Sequence, residues 1–263
     1  MKISLAQYEV KRGDPATNLK RIEQFVSRAA DAGSMLVCLP EMATTGFDWK
    51  ANRNLLESSN EHLEAIAEMA KVNKLAICGS FLEKTEAGEP ANTLHFIDSD
   101  GVLLAQYRKL HLFSLFQEDQ HMESGSQIVV AETNLGKTGF GICYDLRFPE
   151  LFRKCAELGA RVQILPAAFP RPRLHHWRTL VQARAIENQC FFLAINQCGF
   201  EIHGHEIGTT QYFGHSMIVD PWGRIVAEAD EEECLLSAEI DLNLVEETRG
   251  KLPALKDRMP DFL

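Results

Sequence analysis

The chain has 263 residues, of which 45% are hydrophobic, and its formal net charge is -10 at pH 7. This is enough apolar material for one large α/β core, so we predict a single domain over residues 1–263. The acidic balance argues against nucleic acid as a partner, and no apolar run approaches the roughly 20 residues that span a bilayer. We predict a soluble, cytoplasmic protein that acts on a small molecule.

Seven cysteines are scattered along the chain, with no Cys-x-x-Cys pair and no spacing typical of a metal site. Most of these thiols are therefore expected to be reduced and buried. Histidines cluster at His175-His176 and at His203-Gly204-His205, but neither spacing is a recognised zinc pattern. We predict neither a metal nor a cofactor.

The first third of the chain alternates short apolar runs with amphipathic stretches. Strands are predicted at residues 2–8, 35–39 and 75–80, and helices at residues 15–32 and 61–72. In the first helix Leu19, Ile22, Val26 and Ala29 fall on one face, and Gly33 ends it. Alternation of this kind predicts an α/β sheet.

Two hairpins and a second series of alternating elements follow. Residues 94–97 and 102–107 flank one turn sequence, Asp-Ser-Asp-Gly, and residues 214–219 and 225–228 flank another, Asp-Pro-Trp-Gly. Between the hairpins, strands are predicted at residues 137–143, 162–165 and 190–196, and helices at residues 149–158 and 174–188. The combination predicts two mixed sheets packed face to face and clad by helices. The tail after about Asp241 shows little pattern and is a candidate for packing on a partner subunit.

Four polar side chains stand at the ends of these apolar elements: Glu41, Lys109, Glu118 and Cys143. Each alone is typical of an ordinary buried thiol or a solvated charge, so the functional interpretation depends on their combination. Cys143 lies where a strand becomes a helix, so a tight turn would expose its sulfur and the helix N-terminus would lower the pKa of its thiol. Glu41 is suited to accept the thiol proton, and Lys109 with a backbone N–H to hold an oxyanion.

Five segments resemble, in order, the conserved blocks of the nitrilase (carbon-nitrogen hydrolase) superfamily. Three are the catalytic blocks, at residues 39–41 (Leu-Pro-Glu), 107–113 (Tyr-Arg-Lys-Leu-His-Leu-Phe) and 141–150 (Gly-Ile-Cys-Tyr-Asp-Leu-Arg-Phe-Pro-Glu). The other two are residues 184–189 (Arg-Ala-Ile-Glu-Asn-Gln) and 214–223 (Gly-His-Ser-Met-Ile-Val-Asp-Pro-Trp-Gly). Any one block is weakly specific, whereas five in order across nearly the whole chain are highly specific.

The resemblance implies a four-layer αββα sandwich and a Glu-Lys-Cys triad of Glu41, Lys109 and Cys143. It also implies a second glutamate near the substrate nitrogen, which we assign to Glu118 in preference to Asp119 or Glu123. Family members commonly pair through a helix-clad face, so a homodimer or larger homo-oligomer is expected.

The block at residues 143–150 and the segment at residues 169–177 are similar to the ω-amidase branch, which hydrolyses the side-chain amide of 2-oxo acids such as 2-oxoglutaramate. Such substrates keep a carboxylate, for which an arginine is the usual partner. Arg173 is the first choice for that contact and Arg147 the second, although Arg147 could instead form a structural ion pair with Asp145 or Glu150. The predicted apolar wall of the pocket consists of Tyr144, Phe116 and Phe169.

Three alternatives stay open at this point. Another carbon–nitrogen specificity, for a nitrile, an N-carbamoyl amino acid or a peptide-derived amide, would use the same three catalytic groups. A protease-like Cys–His pair would need a histidine, which the glutamate base makes unnecessary. A catalytically silent interaction module would not need a carboxylate, an amine and a thiol at strand ends.

Overall fold

The structure, a computed structural model, describes residues 1–202 and 208–259. Within these residues two six-stranded sheets are packed face to face, a separate two-stranded hairpin lies beside them, and helices flank the sheets. The prediction of two mixed sheets clad by helices is confirmed.

The elements are numbered here in chain order. The strands are β1 (Lys2–Gln7), β2 (Leu36–Cys38), β3 (Ala76–Lys84), β4 (Pro90–Ile97), β5 (Leu103–Arg108), β6 (Val130–Thr133), β7 (Gly136–Phe140), β8 (Val162–Ala167), β9 (Phe191–Asn196), β10 (Cys198–Ile202), β11 (Thr209–Phe213), β12 (Met217–Val219), β13 (Ile225–Glu228) and β14 (Cys234–Glu239). The helices are α1 (Pro15–Asp31), α2 (Trp49–Leu55), α3 (Ser59–Asn73), α4 (Glu118–His121), α5 (Pro149–Glu157), α6 (Leu174–Asn188) and α7 (Asn243–Lys251).

The two sheets share one plan. The first has the order β14-β1-β2-β3-β4-β5, and the second has the order β13-β12-β9-β8-β7-β6. In each, three neighbouring parallel strands form the centre, β1 to β3 in one and β7 to β9 in the other. Antiparallel strands extend both sides of each centre. The carboxyl ends of the parallel strands carry the polar side chains discussed below.

Side-chain alternation explains the layering. Leu36 and Cys38 of β2 point into the core between the sheets, whereas Val37 packs against the outer helices. On the outer side, Ile22 and Val26 of α1 are fully buried, as their spacing predicts. Helices α1 and α3 cover the first sheet, and α5 and α6 cover the second.

The ends of α1 follow from local chemistry. The Asp14 side chain accepts a hydrogen bond from the Thr17 backbone N–H at 3.0 Å, which caps the first turn, and Pro15 occupies the first helical position. Gly33, at a φ of 71°, takes the chain out of the helix.

Several elements were not predicted from the sequence. These are the short helices α2 and α4, strands β6 and β14, the β10–β11 hairpin and the C-terminal helix α7. In α7, Val245 is buried in the core and the Arg249 guanidinium donates to the Ala160 carbonyl at 2.7 Å. This part of the tail therefore packs on its own chain, and contact of the tail with a partner subunit stays a prediction.

Two further expectations concern the whole chain. All seven cysteines are unpaired and six of them are buried, as the sequence predicts. In the described part of the chain, no helix combines the length and the apolar character that crossing a membrane requires.

Candidate active site

A pocket lies at the carboxyl ends of the central strands. The structure brings all nine predicted site residues into its lining: Glu41, Lys109, Phe116, Glu118, Cys143, Tyr144, Arg147, Phe169 and Arg173. Segments that are far apart in the sequence therefore meet in one pocket, as we predicted from the position of their polar residues at the ends of strands.

Glu41 follows β2 and is fully buried. Its Oε1 accepts a hydrogen bond from Lys109 Nζ at 2.7 Å, and its Oε2 accepts one from the Ala168 backbone N–H at 2.9 Å. Burial raises the pKa of the Glu41 carboxyl above its ordinary value, the charge of Lys109 opposes this, and the nearby Glu118 adds to it. A glutamate in this state can both accept and return a proton.

Lys109 follows β5 and lies between two carboxylates. Its Nζ donates to Glu41 Oε1 and to Glu118 Oε2, each at 2.7 Å. Burial alone would lower the pKa of the ammonium, but the carboxylates of Glu118 and Glu41 raise it above its ordinary value. Lys109 is therefore a fixed positive charge.

Glu118 opens α4 and is fully buried. Besides Lys109, it accepts a hydrogen bond from the Phe113 backbone N–H at 2.7 Å. Asp119 is exposed, and Glu123 is bonded to Arg108 at 3.0 Å outside the pocket lining. Of the three acidic residues considered from the sequence, Glu118 is thus the one that lines the pocket.

Cys143 begins a 3-10 turn, Cys143–Arg147. Its φ is 46°, a value that residues other than glycine rarely adopt. Asp145 stabilises this turn, because its Oδ2 accepts hydrogen bonds from the Ile142 backbone N–H at 2.8 Å and from the Tyr107 hydroxyl at 2.7 Å. Its Oδ1 lies 2.7 Å from His111 Nδ1. The same carboxylate therefore ties the turn that holds the thiol to the segment that holds Lys109.

The exposure and the acidity predicted for Cys143 are wrong. Its side chain faces the pocket but is only 7% exposed. Burial raises the pKa of the thiol well above its ordinary value and the Glu41 carboxylate raises it further, outweighing the lowering by Lys109 and by the Ala168 N–H. The turn is a single short 3-10 segment, which does not supply the dipole of a long helix. The resting thiol keeps its proton and needs a base.

The two predicted arginines also line the pocket. The Arg147 guanidinium lies 5.2 Å from the centre of the Phe169 ring, and its Nη2 is 3.4 Å from His176 Nδ1. No ion pair joins Arg147 to Asp145 or Glu150 within residues 1–202 and 208–259, so the alternative structural pairing is not observed. Arg173 lies immediately before α6 and is half-buried.

Other lining residues were missed from the sequence. Phe47 and Phe113 extend the apolar wall, and Phe113 lies 4.9 Å from the Tyr144 ring centre to centre. Asn92, in β4, donates to Glu41 at 2.8 Å, although a lone polar residue in a strand has no distinguishing pattern. The Ala168 N–H has no sequence signal either.

No group of three or more histidine, cysteine, aspartate or glutamate side chains is arranged to hold a metal ion in the described ranges. His203 and His205 of the histidine cluster lie outside those ranges. His175 and His176 have ring centres 6.2 Å apart.

A carboxylate, an ammonium and a thiol that meet at the strand ends of an αββα sandwich define an enzyme of the nitrilase type. The family model described as carbon-nitrogen hydrolase matches residues 2–250, and the chain belongs to that family. It is therefore a hydrolase of carbon–nitrogen bonds, and the resemblance found in its sequence is confirmed.

Three known proteins illustrate the relationship. The 2-oxoglutaramate amidase of Bacillus subtilis (strain 168) is 36% identical over 261 residues, covering 99% of this chain and 98% of the relative. The deaminated glutathione amidase of Dictyostelium discoideum is 32% identical over 262 residues, covering 92% and 88%. The crystal structure of a carbon-nitrogen hydrolase from Helicobacter pylori G27 has a TM-score of 0.93 and 26% identity, covering 100% of this chain and 96% of that chain.

Proposed function

We propose that this hydrolase is an ω-amidase, which cleaves the ω-amide of small 2-oxo dicarboxylic monoamides and releases ammonia through a thioester on Cys143. The observation that carries the proposal is the composition of one pocket. It combines Cys143 and the ion pairs of Lys109 with Glu41 and Glu118. These four groups suit amide hydrolysis. Two arginines, Arg147 and Arg173, line the same pocket and suit a substrate that carries a carboxylate.

Acylation starts when Cys143 Sγ attacks the amide carbonyl carbon and Glu41 accepts the thiol proton. The carbon–nitrogen bond then breaks as Glu41 returns this proton to the nitrogen, and ammonia leaves. The raised pKa values of Cys143 and Glu41 support a transfer from a neutral thiol to a carboxylate with increased proton affinity. A thioester remains on Sγ.

The negative charge that develops on the carbonyl oxygen is stabilised by Lys109 and by a backbone N–H beside Cys143. The raised pKa of Lys109 keeps its ammonium protonated throughout. Glu118 holds that ammonium at 2.7 Å and, as the family resemblance implies, lies close to the substrate nitrogen.

Deacylation repeats the same proton transfers with water. Glu41 accepts a proton from the attacking water, the carbon–sulfur bond breaks, and Glu41 returns the proton to Sγ. One amide and one water therefore yield one carboxylic acid and one ammonia, and the enzyme regains its resting state.

Substrate recognition is assigned to charge and shape together. A guanidinium can bind a carboxylate through two parallel hydrogen bonds, and Arg173 is our first choice for that contact, with Arg147 second. Tyr144, Phe116 and Phe169 surround the carbon skeleton of the substrate. The similarity to the Bacillus 2-oxoglutaramate amidase supports this substrate class.

A second candidate activity is hydrolysis of a peptide-derived amide. It is favoured by the 32% identity to a deaminated glutathione amidase. Such a substrate is also an amide with carboxylates, so the same catalytic steps apply, with an amine in place of ammonia as the leaving group and with different recognition.

The test is turnover of 2-oxoglutaramate, 2-oxosuccinamate, deaminated glutathione, glutamine, an aliphatic nitrile and an N-carbamoyl amino acid, with wild type and Cys143→Ala. Ammonia release is measured for every substrate except deaminated glutathione, whose cleavage frees an amine in place of ammonia and is followed by mass spectrometry. Turnover of the oxo-acid amides by wild type alone supports the ω-amidase proposal. Preference for another member of the panel refutes the substrate assignment and keeps the catalytic one. No turnover of any substrate in the panel favours a non-catalytic module.

We also propose a homodimer or larger homo-oligomer in the cytoplasm. Seven unpaired cysteines support a reducing compartment. Light scattering of the purified chain tests the assembly, and a mass equal to that of one chain would refute it.

A further inference from the structure

A buried amide joins the two glutamates of the pocket. Asn92 is 0% exposed, and its Nδ2 donates to Glu41 Oε1 at 2.8 Å and to Glu118 Oε1 at 3.1 Å. Lys109 Nζ donates to the same two carboxylates, each at 2.7 Å. The four side chains close a ring in which two donors alternate with two acceptors.

We propose that Asn92 is a positioning residue that holds Glu41 and Glu118 on either side of Lys109 and sets the pH range in which Glu41 acts as the base. This inference rests on the proposed function, because it concerns the same proton transfers. In this proposal Asn92 acts through the two glutamates and does not contact the substrate.

The residue type fits the position. An amide nitrogen carries two hydrogens, one for each carboxylate, and adds no charge to the ring. A hydroxyl would supply one hydrogen only, and an aspartate would place a third carboxylate between two others. Asparagine therefore satisfies two buried acceptors without neutralising the acid–base pair.

The other end of the amide argues against a packing role alone. Asn92 Oδ1 is buried and has no hydrogen-bond partner among residues 1–202 and 208–259. An unsatisfied buried acceptor is unfavourable, but the reverse orientation would bring Oδ1 against two carboxylate oxygens. The contact with the glutamates therefore determines the orientation of the amide.

The backbone of Asn92 belongs to the same arrangement. Its carbonyl accepts a hydrogen bond from the Lys109 backbone N–H at 2.9 Å, one residue beyond the end of β5. One residue of β4 thus aligns the main chain of the lysine and the side chains of both glutamates.

The charged groups around the ring remain unchanged when Asn92 is substituted. Those that act on Glu41 or share its pocket are Lys109, Glu118, Cys143, Arg147 and Arg173, with Glu201 and Tyr212 of the β10–β11 hairpin further away. A shift of the pH profile in an uncharged variant at position 92 therefore reports the lost amide.

The experiment compares Asn92→Ala and Asn92→Asp with wild type over a range of pH. Loss of a donor disfavours the carboxylate form and raises its pKa, so the acid limb of kcat/KM should move up by about one pH unit. At pH values below the native acid limb this shift lowers kcat by up to about tenfold, while KM changes less. Asn92→Asp should move the limb further in the same direction.

Asn188→Ala is the matched control. Asn188 is also 0% exposed, its amide donates to the Arg184 carbonyl at 3.0 Å, and its Oδ1 likewise has no partner in the described part of the chain. It lies outside the pocket lining, so its loss should change thermal stability without moving the acid limb. If Asn92→Ala lowers kcat/KM by one factor at every pH, as a purely structural change would, the proposal is wrong.

Two safeguards keep the outcome decisive. If Asn92→Ala does not fold, the similarly sized and uncharged Asn92→Leu decides by the same shift. If wild type hydrolyses no amide, the proposed function fails, and the titration of the Glu41 carboxyl, followed by carbon-13 NMR with Glu41→Gln to assign the signal, still tests Asn92. A midpoint that moves up in the variant supports the ring, and an unmoved midpoint overturns it.

Discussion

Glu41→Gln retains the shape of the side chain but removes its charge and its ability to accept a proton. In the native site Oε1 accepts from Lys109 and Asn92, and Oε2 accepts from the Ala168 N–H, so every partner is a donor. Either orientation of a glutamine amide places its NH2 group against a donor. We expect a folded variant that binds substrate and acylates slowly.

The size of the effect follows from two separate losses. A positioned general base contributes about 10²–10⁴ in rate, which is roughly 2.7–5.5 kcal/mol of barrier. Leaving buried donors unsatisfied lowers the free energy of unfolding by about 1–3 kcal/mol, and each kcal/mol lowers Tm by roughly 2–4 °C in a chain of this size.

The assay is the rapid-mixing burst of ammonia from 2-oxoglutaramate, with the acyl-enzyme detected by intact-protein mass spectrometry. Glu123→Gln is the matched control, because Glu123 is bonded to Arg108 and Thr85 outside the pocket lining. Its burst should equal that of wild type. A burst of wild-type rate from folded Glu41→Gln would show that another group takes the thiol proton.

Three further changes have defined outcomes. Cys143→Ala should abolish turnover with an unchanged circular dichroism spectrum, and measurable ammonia release would remove the thiol from the mechanism. Arg173→Ala should raise KM about 10–100-fold for amides that carry a carboxylate and little for neutral amides, since a charged hydrogen bond contributes about 1.5–3 kcal/mol. The control is Arg171→Ala, at an exposed residue paired with Glu231. An equal rise of KM for both substrate types in Arg173→Ala would contradict the contact. Asp145→Asn removes the charge of the carboxylate that accepts hydrogen bonds from the Ile142 N–H and the Tyr107 hydroxyl. The variant should have a free energy of unfolding lower by about 1–3 kcal/mol and reduced activity. An unaltered denaturation curve would show that the turn does not depend on Asp145.

The central strands and their covering helices could be predicted because apolar runs and helical periodicity are strong there. α6 begins and ends where predicted, at Leu174–Asn188, and β8 and β9 differ only at their ends. The short helix α2 and the β10–β11 hairpin were missed because few residues define each of them. Strand β14 gave no signal that distinguishes a strand from a loop.

The grouping of the site could be predicted because its residues follow apolar strands that share one sheet edge. The role of Asn92 could not be predicted, because the sequence alone does not distinguish a buried polar residue in a strand from an exposed one. The acidity of Cys143 was predicted in the wrong direction for a related reason. It depends on burial and on Glu41, which lies 102 positions earlier in the chain.

The pairing of β1 with β14 has a consequence for the biogenesis of the enzyme. Strand β1 completes its sheet with β14, through six aligned residue pairs from Lys2 with Glu239 to Gln7 with Cys234, so this pairing can form only after β14 has been synthesised. Glu41 and Lys109 follow strands of this sheet, whereas Cys143 follows β7 of the other. A nascent chain therefore carries its nucleophile before the sheet that positions Glu41 and Lys109 is complete.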